Sequence, residues 1–421
     1  MGQTLTEKFI ARAAGLQSVS PGEIVGVSVD RLMINDALAL VVFKKFESLG
    51  VEKIVHPERI LVCLDHKVPP ENVAGADSYC HIRSFCKKYG LVGFHEIGRH
   101  GIGHQVMCEN FTRPGEIAVG TDSHAPMYGG LGALGCGINS SDAAVALATG
   151  KIWMCVPEAV RILFEGKLRR GSTAKDISLF MQNLDDAENF NYRNLEILGS
   201  GVRTLSASGR MTISNMAAEM DVKACIIEPD ERVAEYLGDA VGCDLKPDLD
   251  AVYANTFTVD LDKIEPLIAC PHSVHNVKPI REVRGLPINQ VVLGSCTNGR
   301  LEDFLQAAEL LKDRSVHPDV RLLVIPASQK VYTEATALGV TETLLRAGAT
   351  ILPPSCAACG AFGPGKIGAG ERCVSTTPRN FKGRIGSTDS EVFLASAYTA
   401  AASAIAGHIE SPKRFLKEGK L

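Results

Sequence analysis

The chain offers little for a nucleic acid to hold. One Trp and 6% aromatic residues leave few platforms for stacked bases, and a net charge of −4 gives no basic footprint. Nothing approaches the ~20 apolar residues that span a bilayer. The longest run, residues 37–43 inside NDALALVVFKKF, is closed by Asp36 and Lys44. The opening MGQTLTEKF has no hydrophobic signal core, so the expected location is the cytoplasm, with an organelle matrix as the alternative. Gly2 and Thr6 fit a myristoylation pattern, but residues 5–8 read better as a helix start. The terminal Gly419-Lys420-Leu421 has Gly where a peroxisomal address has Ser. No fixed-period repeat or low-complexity segment is present.

Cysteine, by contrast, is plentiful. Thirteen cysteines without a secretory signal point to free thiols in a reducing compartment, and an odd number cannot pair completely. Cys63, Cys155 and Cys225 lie in apolar runs and read as small core residues. Cys80, Cys86, Cys108, Cys136, Cys243, Cys270 and Cys373 lack ligand-like spacing. Cys356 and Cys359 in PPSCAACGAFG, with Cys296 in LGSCTNGR, stand apart.

At 421 residues, several domains are expected. Short apolar runs (ERILVCLDH, GEIAVGTDSH, AVRILFEG, KACIIEPD, NQVVLGSC, DVRLLVIPAS, GATILPPSC) alternate with helix-like pieces such as DALALVVFKKFESLG, DAAVALATGKIWM, LEDFLQAAELLKDR and TETLLRAG. That alternation predicts an α/β fold with largely parallel sheets. Composition shifts place three α/β domains at 1–158, 159–282 and 283–421. Four predicted strands end in polar chemistry: Asp65-His66, Asp122-Ser123-His124, Ser295-Cys296 and Ser355-Cys356. Ligands collect at the carboxyl ends of such strands, so one shared cleft is expected.

Three thiolates make an incomplete set for most metals. A structural zinc site closes with four protein ligands, and His272 and His275 are spaced one residue too tightly to complete one. An iron–sulfur cluster on three thiolates keeps one iron position open for water or substrate, as a Lewis-acid catalyst requires. A cluster, zinc and coincidence all stay open on spacing alone. Asp65-His66, Asp122-x-His124 and His104 set carboxylates beside imidazoles suited to proton transfer, although each alone also reads as a capped loop. Arg379 and Arg384 in PRNFKGR could clamp carboxylates, or form a solvated basic loop. Asn215 and Glu219 are four apart and would share a helix face, as in an ordinary polar stripe. Gly130-x-Gly132-x-x-Gly135 and Gly363-x-Gly365-x-x-Gly368 match the dinucleotide fingerprint literally. The first follows DSHAPMY and the second contains a proline after the cysteine pair, so a nucleotide-binding oxidoreductase is a weak alternative.

Taken in order, LDHKVPP, GIGHQV, VGTDSH, GRMTISNMAAEM, CPHSVHNVKP, GSCTNGRLED, SCAACG and RNFKGR resemble the aconitase superfamily over almost the whole chain. The layout is nearest to its isopropylmalate dehydratase large-subunit branch. The resemblance implies three α/β domains around a cluster cleft, without the swivelling domain of single-chain aconitases. It implies a [4Fe–4S] cluster on Cys296, Cys356 and Cys359. Asp65 and His66 would protonate a departing hydroxyl. His104, Asp122, His124 and Glu219 would surround the reacting water, and Asn35, Ser123, Asn215, Arg379 and Arg384 would orient a hydroxy di- or tricarboxylic acid. A separate small subunit would bring a serine base and a substrate-reading arginine. The implied activity is dehydration and rehydration of isopropylmalate. Homoaconitate, citrate/aconitate and dimethylmalate are the rival substrates, and an iron-responsive RNA-binding protein is the remote alternative. Asn35, DSHAPMYGG, Pro378 and SCAACG depart from the usual motifs at positions that bear on substrate choice.

Overall fold

Strands such as ILVC, IAVG and QVVLG are apolar at nearly every position, which suits a sheet covered on both faces. In the computed structural model Ile60–Cys63, Ile117–Gly120 and Gln290–Gly294 are buried along their whole length. The structure describes residues 2–184, 190–239, 245–360 and 363–416. Cys243 and the terminal Gly419-Lys420-Leu421 lie outside the described residues. The chain divides into two compact units.

The first unit comprises Met1–Asp65, Pro69–Gly166 and Asp186–Asp260. Its five-stranded sheet is parallel throughout, in the order Gly93–His95, Ile60–Cys63, Arg31–Asn35, Ile117–Gly120, Leu134–Gly137. The chain winds outward in one direction from Arg31–Asn35, then returns and winds in the other from Ile117–Gly120. The carboxyl ends of those two strands are therefore the switch point where crossover loops part and leave a crevice. A second parallel sheet runs Ala224–Ile227, Asn194–Leu198, Ala159–Glu165, Asn255–Asp260.

The second unit comprises His66–Val68, Lys167–Asp185 and Leu261–Leu421. Its seven-stranded sheet runs Val277–Pro279, Leu267–Ala269, Glu391–Ala395, Arg372–Ser375, Gln290–Gly294, Arg321–Ile325, Ala349–Ile351. The last five strands are parallel and the first two pair antiparallel at one edge. Its switch point lies between Gln290–Gly294 and Arg372–Ser375. The core packs Val291, Leu293, Leu322, Val324 and Phe393 of the sheet against Phe304, Leu310 and Ala401 of the helices.

The helix start at Leu5 is as expected: Leu5–Ala14 begins with Thr4 and Glu7 in a capping box. Asn35, Asn139 and Ser396 cap other helices with a side-chain oxygen that accepts a backbone N–H. One piece differs. The helix expected through DAAVALATGKIWM ends at Thr149, where Gly150 takes the left-handed conformation (φ 71°), and Lys151–Cys155 becomes a strand antiparallel to Ile24–Ser28. Cys155 at its end is half-buried instead of a core residue, because the two-stranded ribbon covers one face only.

Candidate active site

The loop after Ile117–Gly120 carries Asp122, Ser123 and His124 to the switch point of the first sheet. His104 comes from the first turn of helix Gly103–Asn110, and Glu219 from the turn Ala218–Met220. Glu219 thus lies just past helix Ala207–Ala217, where a shared helix face with Asn215 was expected. These residues form one hydrogen-bonded chain. The His124 ring reaches Glu219 Oε1 through Nε2 at 2.8 Å, and its Nδ1 lies 3.4 Å from Asp122 Oδ1. The same Asp122 oxygen lies 3.0 Å from His104 Nε2 and accepts the His124 backbone N–H at 2.9 Å. His104 Nδ1 lies 3.1 Å from the Tyr128 hydroxyl.

Burial and pairing compete here, and pairing wins. Burial by itself would raise the Asp122 carboxyl, but hydrogen bonds from His104 and His124 hold it well below the usual carboxylate range. Burial would lower His124, yet bonds to Asp122 and Glu219 bring it up to about 9. At neutral pH His124 is therefore a buried imidazolium between two carboxylates, able to release a proton while Asp122 and Glu219 hold its ring. Ligand atoms of His104, Asp122 and His124 lie within 4.8 Å of one another, a spacing that could also hold a metal ion. Each is already engaged inside the network, which makes the group a proton-holding one.

The other expected residues of this unit take varied places. Asp65 Oδ2 accepts the Gly103 N–H at 2.8 Å, so a buried carboxylate sits at the start of the helix bearing His104. Asn35 Oδ1 caps helix Asp36–Ser48 by accepting from Leu38 N. Asn215 is fully buried with its Nδ2 3.5 Å from Met127 Sδ, and its Oδ1 has no partner among the described residues. Ser123 is exposed.

In the second unit Cys296 follows the strand Gln290–Gly294 on the short helix Ser295–Asn298. Ser295 is held at φ 95°, a strained conformation for a residue with a Cβ, costing ~1–3 kcal/mol. A Ser295–Thr297 hydroxyl contact (2.6 Å) and the Thr297 hydroxyl on Thr376 O (2.9 Å) keep it there. Buried Arg300 donates to the carbonyls of Cys296 (2.8 Å) and Thr297. Cys356 and Cys359 share a tight turn through a 3.0 Å backbone bond. Arg384 points Nη2 at Cys359 Sγ, 3.9 Å away, and its buried Nε has no partner among the described residues. A guanidinium with an unspent donor beside a sulfur suits an anionic, thiolate-held group, so this donor set fits an iron–sulfur cluster. Arg379 is half-buried on the same segment. His66 falls in this unit, directly after Asp65 in the chain.

Sequence reading missed three residues. Tyr128 lay unremarked inside DSHAPMYGG. Arg300 and Lys175 look like surface cations, yet both are fully buried, and Lys175 donates to the carbonyls of Thr376 (3.1 Å) and Thr377 (2.9 Å), just ahead of Arg379. The available signal was slight: TAKDISLF places the lysine at the start of a helix whose Ile177, Leu179 and Met181 are buried.

The family model described as Aconitase family (aconitate hydratase) matches residues 10–285 and 278–407. The chain belongs to the aconitase family of hydro-lyases. Among its relatives, the 3-isopropylmalate dehydratase large subunit 1 of Methanopyrus kandleri is 43% identical over 99% of this chain and 100% of its own length. The protein of the same name from Pyrococcus furiosus is also 43% identical over 99% and 100%. The 3-isopropylmalate dehydratase large subunit of Thermodesulfovibrio yellowstonii is 41% identical over 98% and 99%. The crystal structure of Thermococcus kodakaraensis aconitase X (holo-form) is similar with a TM-score of 0.50 at 12% identity, covering 84% of each chain, a likeness of fold alone. Family membership implies an iron–sulfur cluster. Among the described residues no helix is long and apolar enough to cross a membrane.

Proposed function

We propose that the chain is the large subunit of a 3-isopropylmalate dehydratase, isomerising a hydroxy-diacid by dehydration and rehydration. The observation that carries this reading is full-length likeness: relatives bearing that name align over 98% or more of this chain. The proposed cofactor is a [4Fe–4S] cluster on Cys296, Cys356 and Cys359. When bound, it supplies a Lewis-acidic iron that activates the substrate hydroxyl.

The protein side of the chemistry then follows from its own groups. His124 holds a proton on Nε2 against Glu219, and Asp122 keeps both imidazoles oriented for proton transfer to and from water. Asp65 and His66 form the proposed acid for the leaving hydroxyl. Arg379 and Arg384 offer guanidinium forks to substrate carboxylates, while Ser123, Asn215 and the Nδ2 of Asn35 orient the remaining oxygens. A small subunit is the proposed partner, bringing a serine base and a substrate-reading arginine. The proposed organisation keeps three α/β parts at 1–158, 159–282 and 283–421, in a cytoplasmic protein.

The test is anaerobic purification of the chain with and without a small subunit, followed by iron and sulfide analysis and assays on isopropylmalate, homoaconitate, citrate and dimethylmalate. Brown material with about four irons is expected, with turnover of isopropylmalate only by the pair. Iron-free protein, or an active Cys296→Ser variant, overturns the cluster assignment. Full turnover by the isolated chain overturns the partner, and preference for another acid overturns the substrate.

A further inference from the structure

We infer that Tyr128 is a positioning residue that holds the His104 ring, in the tautomer Asp122 imposes, by donating a hydrogen bond to its Nδ1. The inference rests on the reading of His104 as a proton-handling residue, and deepens it.

The argument is one of donors and acceptors. Asp122 is ionised and can only accept, so His104 Nε2, 3.0 Å from its Oδ1, must carry a hydrogen. In a neutral imidazole the other nitrogen then presents a lone pair. His104 is 3% exposed, so that lone pair cannot count on water and needs a donor supplied by the protein. The Tyr128 hydroxyl lies 3.1 Å away and fills that role, with the two rings tilted at 50° and their centroids 5.7 Å apart. The phenol itself is fully buried. Burial, with Cys108, Asp122, Asp65 and Cys136 as the nearby titratable groups, pushes it well above its ordinary range, so it remains a donor at neutral pH.

Its ring has a made place. A Cβ on Gly120 would stand 2.9 Å from the Tyr128 hydroxyl, and a Cβ on Gly135 would stand 2.9 Å from its Cβ and 3.2 Å from its Cδ2. These glycines lie on neighbouring parallel strands, so the sheet leaves room for this ring at this height. Without the hydroxyl, Nδ1 keeps a buried lone pair with no donor, and the ring is held at Nε2 alone, free to swing about its bond to Asp122. The proton on Nε2 would then start from a misoriented ring in part of the molecules.

The experiment uses the full chain with 15N-labelled histidine, His104 being assigned with His104→Gln. The wild-type ring is expected to be the Nε2-protonated tautomer. In Tyr128→Phe, which keeps the ring, the Nε2-protonated tautomer should persist while the Nδ1 signal moves downfield, as a lone pair that has lost its hydrogen bond does. Gly120→Ala, which crowds the hydroxyl, should do the same. In the reconstituted enzyme Tyr128→Phe should lower kcat roughly 10- to 100-fold with KM within about threefold, and narrow the pH profile. An Nδ1-protonated wild-type ring, or an unchanged Nδ1 signal in Tyr128→Phe, overturns the inference whether or not isopropylmalate proves to be the substrate. Absence of hydro-lyase activity in the wild type, with the Nδ1 change intact, overturns only the functional reading.

Discussion

His124 draws its charge from two neighbours far apart in the chain. Its folded value of about 9 lies above the ordinary 6.5, so the stabilisation it carries is fully present below about pH 6.5 and is lost as pH rises through 9. The stability at stake is of order 3 kcal/mol, shared with Asp122 rather than added to it. The Tm of the wild type should therefore fall between about pH 7 and 10. The fall should be shallower in Glu219→Gln, which removes one of the two carboxylates holding the proton. Identical slopes in the two proteins would show that His124 is not charged in the fold. Lys175 makes a second case at this scale. Lys175→Met strips two buried carbonyls of their donor, at roughly 1–3 kcal/mol, and loosens the segment leading to Arg379. A KM rise of about tenfold with a smaller change in kcat is expected, and steady-state kinetics on the reconstituted pair would reveal it. Motif spacing made the acids and histidines legible. Tyr128, Arg300 and Lys175 were not legible, because a lone buried polar residue earns its role from partners that local sequence does not name.

Among the elements, the turn Ala125–Leu131 and the strand after it explain the literal dinucleotide fingerprint. A Cβ on Gly130 would lie 2.6 Å from Met211 Cα, one on Gly132 would lie 2.8 Å from Pro229, and one on Gly135 would lie 2.4 Å from Ala125 O. The spacing serves close backbone approach between this turn and its neighbours. Gly129 is the most crowded, its Cβ falling 1.5 Å from Cys225 O. Gly129→Ala should cost more than about 4 kcal/mol or leave the protein insoluble, because neither backbone can yield. Gly26→Ala, with nothing within 4 Å, should change stability by less than about 1 kcal/mol. Denaturant titration of the two variants makes the comparison. The seven strands read from apolar runs all form, since buried parallel strands announce themselves by composition. The KIWMC strand hid behind a helix because an alanine-rich run and a following amphipathic strand look continuous until Gly150 turns the chain.

At the level of the whole molecule, each unit has its own sheets and buried apolar residues, so the fold is expected to survive loss of the metal. Chelation with an oxidant should remove iron and abolish turnover while the far-UV circular dichroism stays near that of the loaded protein. Collapse of the spectrum on iron loss would mean that the thiolate-held group is structural. The chain's slight negative net charge agrees with a small-molecule substrate.

The sequence by itself determined the fold class, the family and the residue types of the chemistry, because all three are written in local patterns of polarity and in short motifs. Tertiary structure decided which oxygen each imidazole faces, why His124 is charged, and that two cations lie buried beneath the loops that carry the thiols and the arginines. Those facts depend on desolvation and on partners up to about two hundred residues away, and only the folded chain brings such partners within a hydrogen bond.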